Sequence, residues 1–268
     1  MQKSFLESPR VLFDLVGVNY VYPDGTPAVS NVTFSVTKGT RLAILGANGS
    51  GKSTLLRLMN GLYFADSGEV QFEYTALSES TLSNPKFQAD FRQRVGFVFQ
   101  DADAQLFNAT VFDEIAFAPR QLGLDEAEVQ LRVNDVVHFL GISHLLERAP
   151  FRLSGGEKRK VAIGSVLSMN PEVLLLDEPI LGLDPRSQEW LIRTLNALNQ
   201  AGKTIIIATH NLPTLDQIAD DALVISDNHT VLAQAPLTEI IQNLDLLREA
   251  NLISNGAPVM NDLGNIDS

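Results

Sequence analysis

The segment Gly46-Ala47-Asn48-Gly49-Ser50-Gly51-Lys52-Ser53 has the residue types and spacing of a loop that cradles a phosphate. Gly46, Gly49 and Gly51 let backbone N–H groups turn inward with no Cβ in the way. A helix starting near Lys52 adds free N–H groups and the positive end of its dipole. Lys52 can reach β- and γ-phosphates, and Ser53 can put a hydroxyl on Mg²⁺. Asp177-Glu178 follows the apolar run 173–176. Asp177 can complete a Mg²⁺ shell through water, while Glu178 points differently and can polarise an attacking water. Gln100 ends the apolar stretch 95–99, where it can meet the metal or the water. His210 follows the run 204–208 and Thr209, where it can hold a γ-phosphate. A lone Gln or His is equally compatible with ordinary packing. The same holds for Tyr22, which can stack on a base or fill a strand face.

Ser154-Gly155-Gly156-Glu157 fits a capping box, in which Ser and Glu satisfy each other's backbone N–H groups. The amides of Gly155 and Gly156 stay free, so this is either a plain capped helix or a second anion site about a hundred residues after the first.

These residues need elements to hold them. The segments 11–18 and 32–36 alternate as strands do, with Pro23-Asp24-Gly25 as a turn between them. Lys38-Gly39 turns the chain into the strand 42–45. Gly61 is expected to cap the helix after the phosphate loop, and 67–72 to form a strand. Residues 76–90 are polar, with Ser and Pro, and read as a surface loop. The segment 125–140 reads as a helix capped by Asp125, with Val129, Val133, Val136, Val137 and Leu140 on one stripe. A helix over 187–199 and a hairpin around Asp227-Asn228-His229 follow. A last amphipathic helix carries Leu237, Ile240, Ile241, Leu244 and Leu247. Four apolar strands ending in reactive residues point to one nucleotide site beyond the carboxyl edge of a parallel sheet.

Composition narrows the function. The 268 residues are 45% hydrophobic, enough for a real core, and carry a net charge of −12, which argues against a nucleic-acid partner. With no cysteine there is neither a disulfide framework nor a thiolate zinc site, which fits a cytosolic address. Residues 1–10 lack the apolar core of a signal peptide, and no run approaches the ~18 residues of a membrane span.

Taken together, these residues resemble the ATP-binding subunit of an ABC transporter over roughly residues 10–235. Walker A lies at Gly46 to Ser53, the Q-loop at Gln100, the signature at Leu153 to Glu157, and Walker B at Val173 to Glu178. The D-loop Leu181-Gly182-Leu183-Asp184 and the switch His210 follow in the family's order. The resemblance implies an α/β fold, a P-loop NTPase (ABC ATPase) with a RecA-like core, an antiparallel β subdomain and an α-helical subdomain. The corresponding organisation is a lead-in at 1–10, an ATPase domain at 11–235 with its helical part at about 101–165, a C-terminal helix at 236–250 and a disordered tail at 251–268. It implies ATP and Mg²⁺ as cofactors. Nucleotide contacts fall to Tyr22, Gly46, Asn48, Gly49, Ser50, Gly51, Lys52, Ser53 and Thr54, with Ser154, Gly155 and Gly156 completing the site of a partner ATPase. Catalysis falls to Glu178, His210, Lys52 and Gln100, and metal binding to Ser53, Gln100 and Asp177.

A finer resemblance, to energy-coupling-factor ATPases, rests on Tyr22-Pro23-Asp24-Gly25-Thr26-Pro27 and on the run Val98 to Phe107 with Gln105-Leu106-Phe107. Ala116-Phe117-Ala118-Pro119 and Leu153 to Lys160 add to it. That branch implies import of cobalt or nickel, or of a vitamin such as biotin, by a peripheral subunit on the cytoplasmic face of the membrane. Its partners are a second ATPase, identical or different, a transmembrane coupling subunit, and a substrate-binding membrane subunit. Residues 100–118 would line the groove for coupling helices. Three departures stand out: Glu157 for the family's Gln, Ile180 where Thr often stands, and Asn211 where Asp often stands. The charge of Glu157 near a phosphate is expected to be offset by Lys158, Arg159 and Lys160. A soluble ABC ATPase of repair or translation is disfavoured by the single Walker A, the acidic chain and the spacing of about fifty residues between Gln100 and Ser154. A GTPase is disfavoured by the lack of an Asn-Lys-x-Asp motif. A purely regulatory ATP-binding module would leave Glu178 and His210 without a purpose.

Overall fold

A computed structural model describes residues 10–254. Strands β1 (Val11–Val21) and β2 (Pro27–Thr37) pair antiparallel across the predicted turn, which Tyr22 N closes onto Thr26 O at 2.8 Å. β3 (Arg41–Leu45) leads into the phosphate loop, and helix α1 (Lys52–Met59) follows. The cap of α1 is Asn60, and Gly61 stands one position later in a left-handed conformation, as a helix stop requires. β4 (Ser67–Phe72) and β5 (Thr75–Ala76) complete a four-stranded sheet in the order β2-β1-β4-β5.

The expected loop at 76–90 is instead two helices, α2 (Glu79–Leu82) and α3 (Pro85–Arg94). Ser78 and Asn84 cap them with their side-chain oxygens. Leu82 and Phe91 are buried, and Phe91 packs edge-on against Phe72 at 5.2 Å. Few apolar residues anchor this pair, so no stripe is visible in the sequence, yet strong caps and one aromatic contact fix it.

β6 (Val95–Val98) precedes a helical layer of α4 (Val111–Gln121), α5 (Glu126–Leu140) and α6 (Gly155–Leu167). Val129, Val133, Val137 and Leu140 of the predicted stripe are buried, and Val136 packs at the margin against Gly164. β7 (Val173–Asp177), α7 (Pro185–Gln200), β8 (Thr204–Thr209), α8 (Leu215–Ile218), β9 (Asp221–Ile225) and β10 (Val231–Pro236) then complete the core. The six-stranded sheet has the order β10-β9-β3-β8-β7-β6, parallel except for β10.

That sheet is buried on both faces. Leu45, Leu174, Leu176, Ile205 and Ile207 pack toward the helical layer, whereas Leu42, Ile44, Leu175 and Ile206 pack toward α1 and the antiparallel sheet. Double burial explains why β7 and β8 are apolar throughout rather than alternating.

The expected C-terminal helix at 236–250 is two helices, α9 (Leu237–Gln242) and α10 (Leu244–Glu249). Asn243 leaves helical geometry and its side chain caps α10 by accepting from Leu246 N at 3.1 Å. The lead-in over 1–9 and the tail beyond 254 lie outside the described residues. Within them, the expectation of disorder from 251 onward is wrong for its first residues. Leu252 N bonds Leu247 O at 2.9 Å, and Leu252 and Ile253 pack on the core.

Candidate functional site

Strand register brings the reactive residues together. Leu45 pairs with Thr209, Asp177 with Ala208, and Val98 with Leu176. Gly46, His210, Glu178 and Gln100 therefore leave neighbouring strands at one edge of the sheet, over a cavity of about 720 Å³. Asn48, Gly49, Gly51, Lys52, Ser53 and Thr54 form one wall, and Glu178, His210 and Gln100 another. Tyr22 closes one end, its hydroxyl 2.6 Å from Thr54 Oγ1. Gly46, Ser50 and Asp177 stand behind the wall.

The loop geometry depends on glycine at two positions. A Cβ on Gly46 would lie 2.5 Å from Ser50 Oγ and 2.7 Å from Ile225 O. Gly51 has φ +102, and a Cβ there would lie 1.9 Å from Ala28 O. We expect Gly51→Ala to fold with a displaced loop and to bind ATP at least about tenfold more weakly, since strain of about 1–3 kcal/mol has to be relieved locally. Titration with a fluorescent ATP analogue measures this, and unchanged affinity would show that the loop tolerates the side chain.

Lys52 is 5% exposed, and its Nζ donates to Gly46 O and Ala47 O, both at 2.9 Å. Burial pushes its pKa down, while the charges of Glu178 and Asp177 pull it back up. Ser53 Oγ donates to Asp177 Oδ1 at 2.8 Å. Burial pushes the Asp177 carboxyl above its ordinary value, against the lowering effect of the Ser53 hydrogen bond. Among the described residues no three His, Cys, Asp or Glu side chains gather as a metal cage. The Ser53–Asp177 pair is the sparse, hard oxygen set that suits Mg²⁺, an ion that keeps waters and takes phosphate oxygens as further ligands.

Glu178 is also buried and sits at φ +43, a left-handed backbone unusual outside glycine. Its N–H bonds Ala208 O at 2.9 Å. Its carboxylate accepts from Thr209 Oγ1 at 2.8 Å, from His210 N at 3.2 Å and from His210 Nδ1 at 2.6 Å. With Nδ1–H donating to Glu178, the Nε2 edge of His210 is the one left for a ligand. A proton acceptor, a ring nitrogen, an ammonium and a glycine loop thus converge on one cavity. Such a set can bind a polyphosphate and activate a water beside it.

The signature residues do not join this cavity. Ser154, Gly155 and Gly156 line a second one of about 750 Å³, together with Asp184, Trp190 and Arg193. No residue lines both cavities. The capping box is present: Ser154 N donates to Glu157 Oε2 at 2.8 Å, and Glu157 N to Ser154 Oγ at 3.4 Å. Those bonds from Ser154 hold the Glu157 carboxyl below its ordinary pKa. Of the three basic neighbours expected to offset Glu157, only Lys160 lines its cavity. Lys158 pairs with Asp103 at 2.5 Å, Arg159 turns toward the Q-loop, and Lys160 lies over the Trp190 ring at 4.8 Å. The charge of Glu157 is met mainly by the helix start it caps, with smaller contributions from the charges of Arg148 and His144.

One wall residue has no signal in the sequence. His229, in the β9–β10 turn, brings its Nδ1 to 3.2 Å from Ser50 O and lines the cavity beside Gly51. A single turn histidine carries no motif, and only the long-range fold brings it here.

The family model for ABC transporters matches residues 29–181. The nickel import ATP-binding protein LarO of Lactiplantibacillus plantarum is 41% identical over 91% of this chain and 100% of its own. The energy-coupling factor transporter ATP-binding protein EcfA of Methanothermobacter thermautotrophicus is 40% identical over 90% of this chain and 76% of its own. Among solved structures, cbiO1 of Clostridium perfringens, described as part of the ABC transporter complex cbiONQ, is similar with a TM-score of 0.78 and 35% identity. That match covers 91% of this chain and 95% of the other.

Proposed function

Because the chain belongs to the ABC transporter family, in its energy-coupling-factor branch, we propose that its ATP hydrolysis powers a nickel or cobalt importer. The observation that carries the reading is the separation of the two anion sites into cavities with no shared residue. Each is half of a site. Two ATPase chains, identical or different, pair head to tail so that Ser154, Gly155 and Gly156 of one cover the phosphate loop of the other.

In each site Tyr22 stacks on the base, and the amides around Asn48 to Thr54 and the Lys52 ammonium hold the phosphates. Ser53, Asp177 and Gln100 hold Mg²⁺, which when bound neutralises charge on the β- and γ-phosphates. Glu178 takes a proton from the attacking water, and His210, its ring oriented by Glu178 through Nδ1, stands beside the γ-phosphate so that the water stays in line. Closure on ATP and reopening after hydrolysis move a transmembrane coupling subunit, which works with a substrate-binding membrane subunit. The coupling subunit docks near residues 100–118. There Phe107 and Phe117 are 67% and 40% exposed, with ring centroids 5.0 Å apart. No helix among the described residues is long and apolar enough to cross a membrane. In this reading the chain acts at the cytoplasmic face through these partners.

The cargo follows the relatives named for nickel import. Tagged protein purified from detergent-solubilised membranes of the native cell is expected to bring down both membrane subunits, identified by mass spectrometry. Cells lacking the chain should lose high-affinity nickel or cobalt uptake and keep biotin uptake. Loss of biotin uptake alone would move the reading to a vitamin importer. Recovery only from the soluble fraction would overturn it in favour of a soluble ABC ATPase.

A further inference from the structure

We propose that Arg159 and Gln105 strap the root of the Q-loop to the signature helix, so that the two half-sites of one chain respond as one body. This rests on the head-to-tail reading above, in which those half-sites face different nucleotides.

Arg159 lies on α6, just past Ser154 and Gly156, and is 6% exposed. Among the described residues it has no carboxylate within ion-pair distance. Its guanidinium donates instead to Phe99 O at 2.7 Å and Gln100 O at 2.6 Å. Burial pushes its pKa down, while the charges of Asp101 and Asp177 pull it up. A buried guanidinium is costly unless its donors are met, and the fork of two N–H groups is met by two consecutive carbonyls.

Gln105 makes the same connection from the other direction. Its Oε1 accepts from Phe99 N at 3.1 Å, and its Nε2 donates to Ala162 O of α6 at 2.8 Å. Phe99 and Gln100 lie just beyond the end of β6, outside its ladder. Three backbone groups there, one N–H and two C=O, are thus tied to α6 through two side chains.

The placement has a mechanical consequence. Gln100 faces the chain's own phosphate loop, and Ser154 faces the other cavity. A nucleotide that pulls on the start of α6 also pulls on the backbone of Gln100. Arg159 is therefore a positioning residue that passes occupancy from one site to the next. Lysine in its place keeps the charge but cannot fork across two carbonyls.

Hydrogen exchange on the full chain carrying Glu178→Gln and Gln100→Ala, which removes the direct side-chain contact with the chain's own nucleotide site and keeps the backbone carbonyl that Arg159 holds, with and without Mg-ATP, tests this. In that parent, ATP is expected to slow exchange at least about tenfold both at 155–158 and at 99–101. With Arg159→Lys or Gln105→Ala added, the slowing at 155–158 should persist while that at 99–101 falls below about threefold. Equal slowing of both segments in both variants would overturn the strap. So would faster exchange throughout α6 without ATP and an unchanged response to ATP, because that is ordinary packing. No slowing at 155–158 in the parent would overturn the head-to-tail reading and the strap with it. Gln105→Ala removes only a half-buried side chain, so it keeps the test open should the arginine variant fail to fold.

Discussion

Glu178→Gln is expected to bind ATP as the parent does and to hydrolyse it at least about a hundredfold more slowly, the low end of what a general base contributes. The substitution fits the site. Its oxygen can keep the bonds from His210 N and Nδ1, and its NH₂ can donate to Thr209 Oγ1, a hydroxyl that accepts as readily as it donates. Backbone position, cavity and phosphate loop stay as they are. Only the capacity to take a proton from water is lost. The chain should then persist as an ATP-bound pair, visible as a nucleotide-dependent shift in gel filtration. Phosphate release measures the rate, and turnover within a few-fold of the parent would remove Glu178 as the base.

A second substitution acts before chemistry begins. Lys52→Ala is expected to weaken ATP binding by roughly 10- to 100-fold, because hydrogen bonds from charged groups are each worth about 1.5–3 kcal/mol, and to abolish hydrolysis. The ammonium has two tasks. It braces the loop through Gly46 O and Ala47 O, and it supplies the positive charge the phosphates face. Its burial already works against that charge, and the carboxylates of Glu178 and Asp177 sustain it. Alanine leaves both carbonyls without this donor and removes a buried positive charge that interacts with both acids. Equilibrium binding and phosphate release separate the two effects. Hydrolysis retained at the parent rate would remove the phosphate-loop assignment.

How much of this is legible in the sequence depends on distance along the chain. The phosphate loop, Asp177-Glu178 and the Ser154–Glu157 cap are local patterns, and each forms where the residues predict. The grouping of the first two into one cavity follows from apolar strands ending in polar residues, a pattern that double burial makes easy to see, whereas the separate Ser154 half starts a helix and its place in a partner's site comes from the family resemblance alone. The α2–α3 pair escapes because caps and Phe91 hold it rather than a stripe. The break at Asn243 escapes because the apolar spacing continues across it while a single capping side chain ends one helix and starts another. Arg159 and His229 are long-range cases. Sequence makes the first a counter-charge and the second a turn residue, whereas folding turns one toward the Q-loop backbone and the other into the nucleotide wall.

The left-handed backbone at Glu178 has a consequence for what selection can do here. Glycine or asparagine takes up φ +43 at far lower cost, and a strained position of this kind withholds about 1–3 kcal/mol from the folded state. A laboratory campaign that scores only survival of heating would accumulate those residues at 178 and deliver durable, idle proteins. One that scores ATP turnover would restore glutamate each time. Hardiness and turnover compete for this one residue, so descendants adapted to hotter habitats have to gain their robustness at other positions.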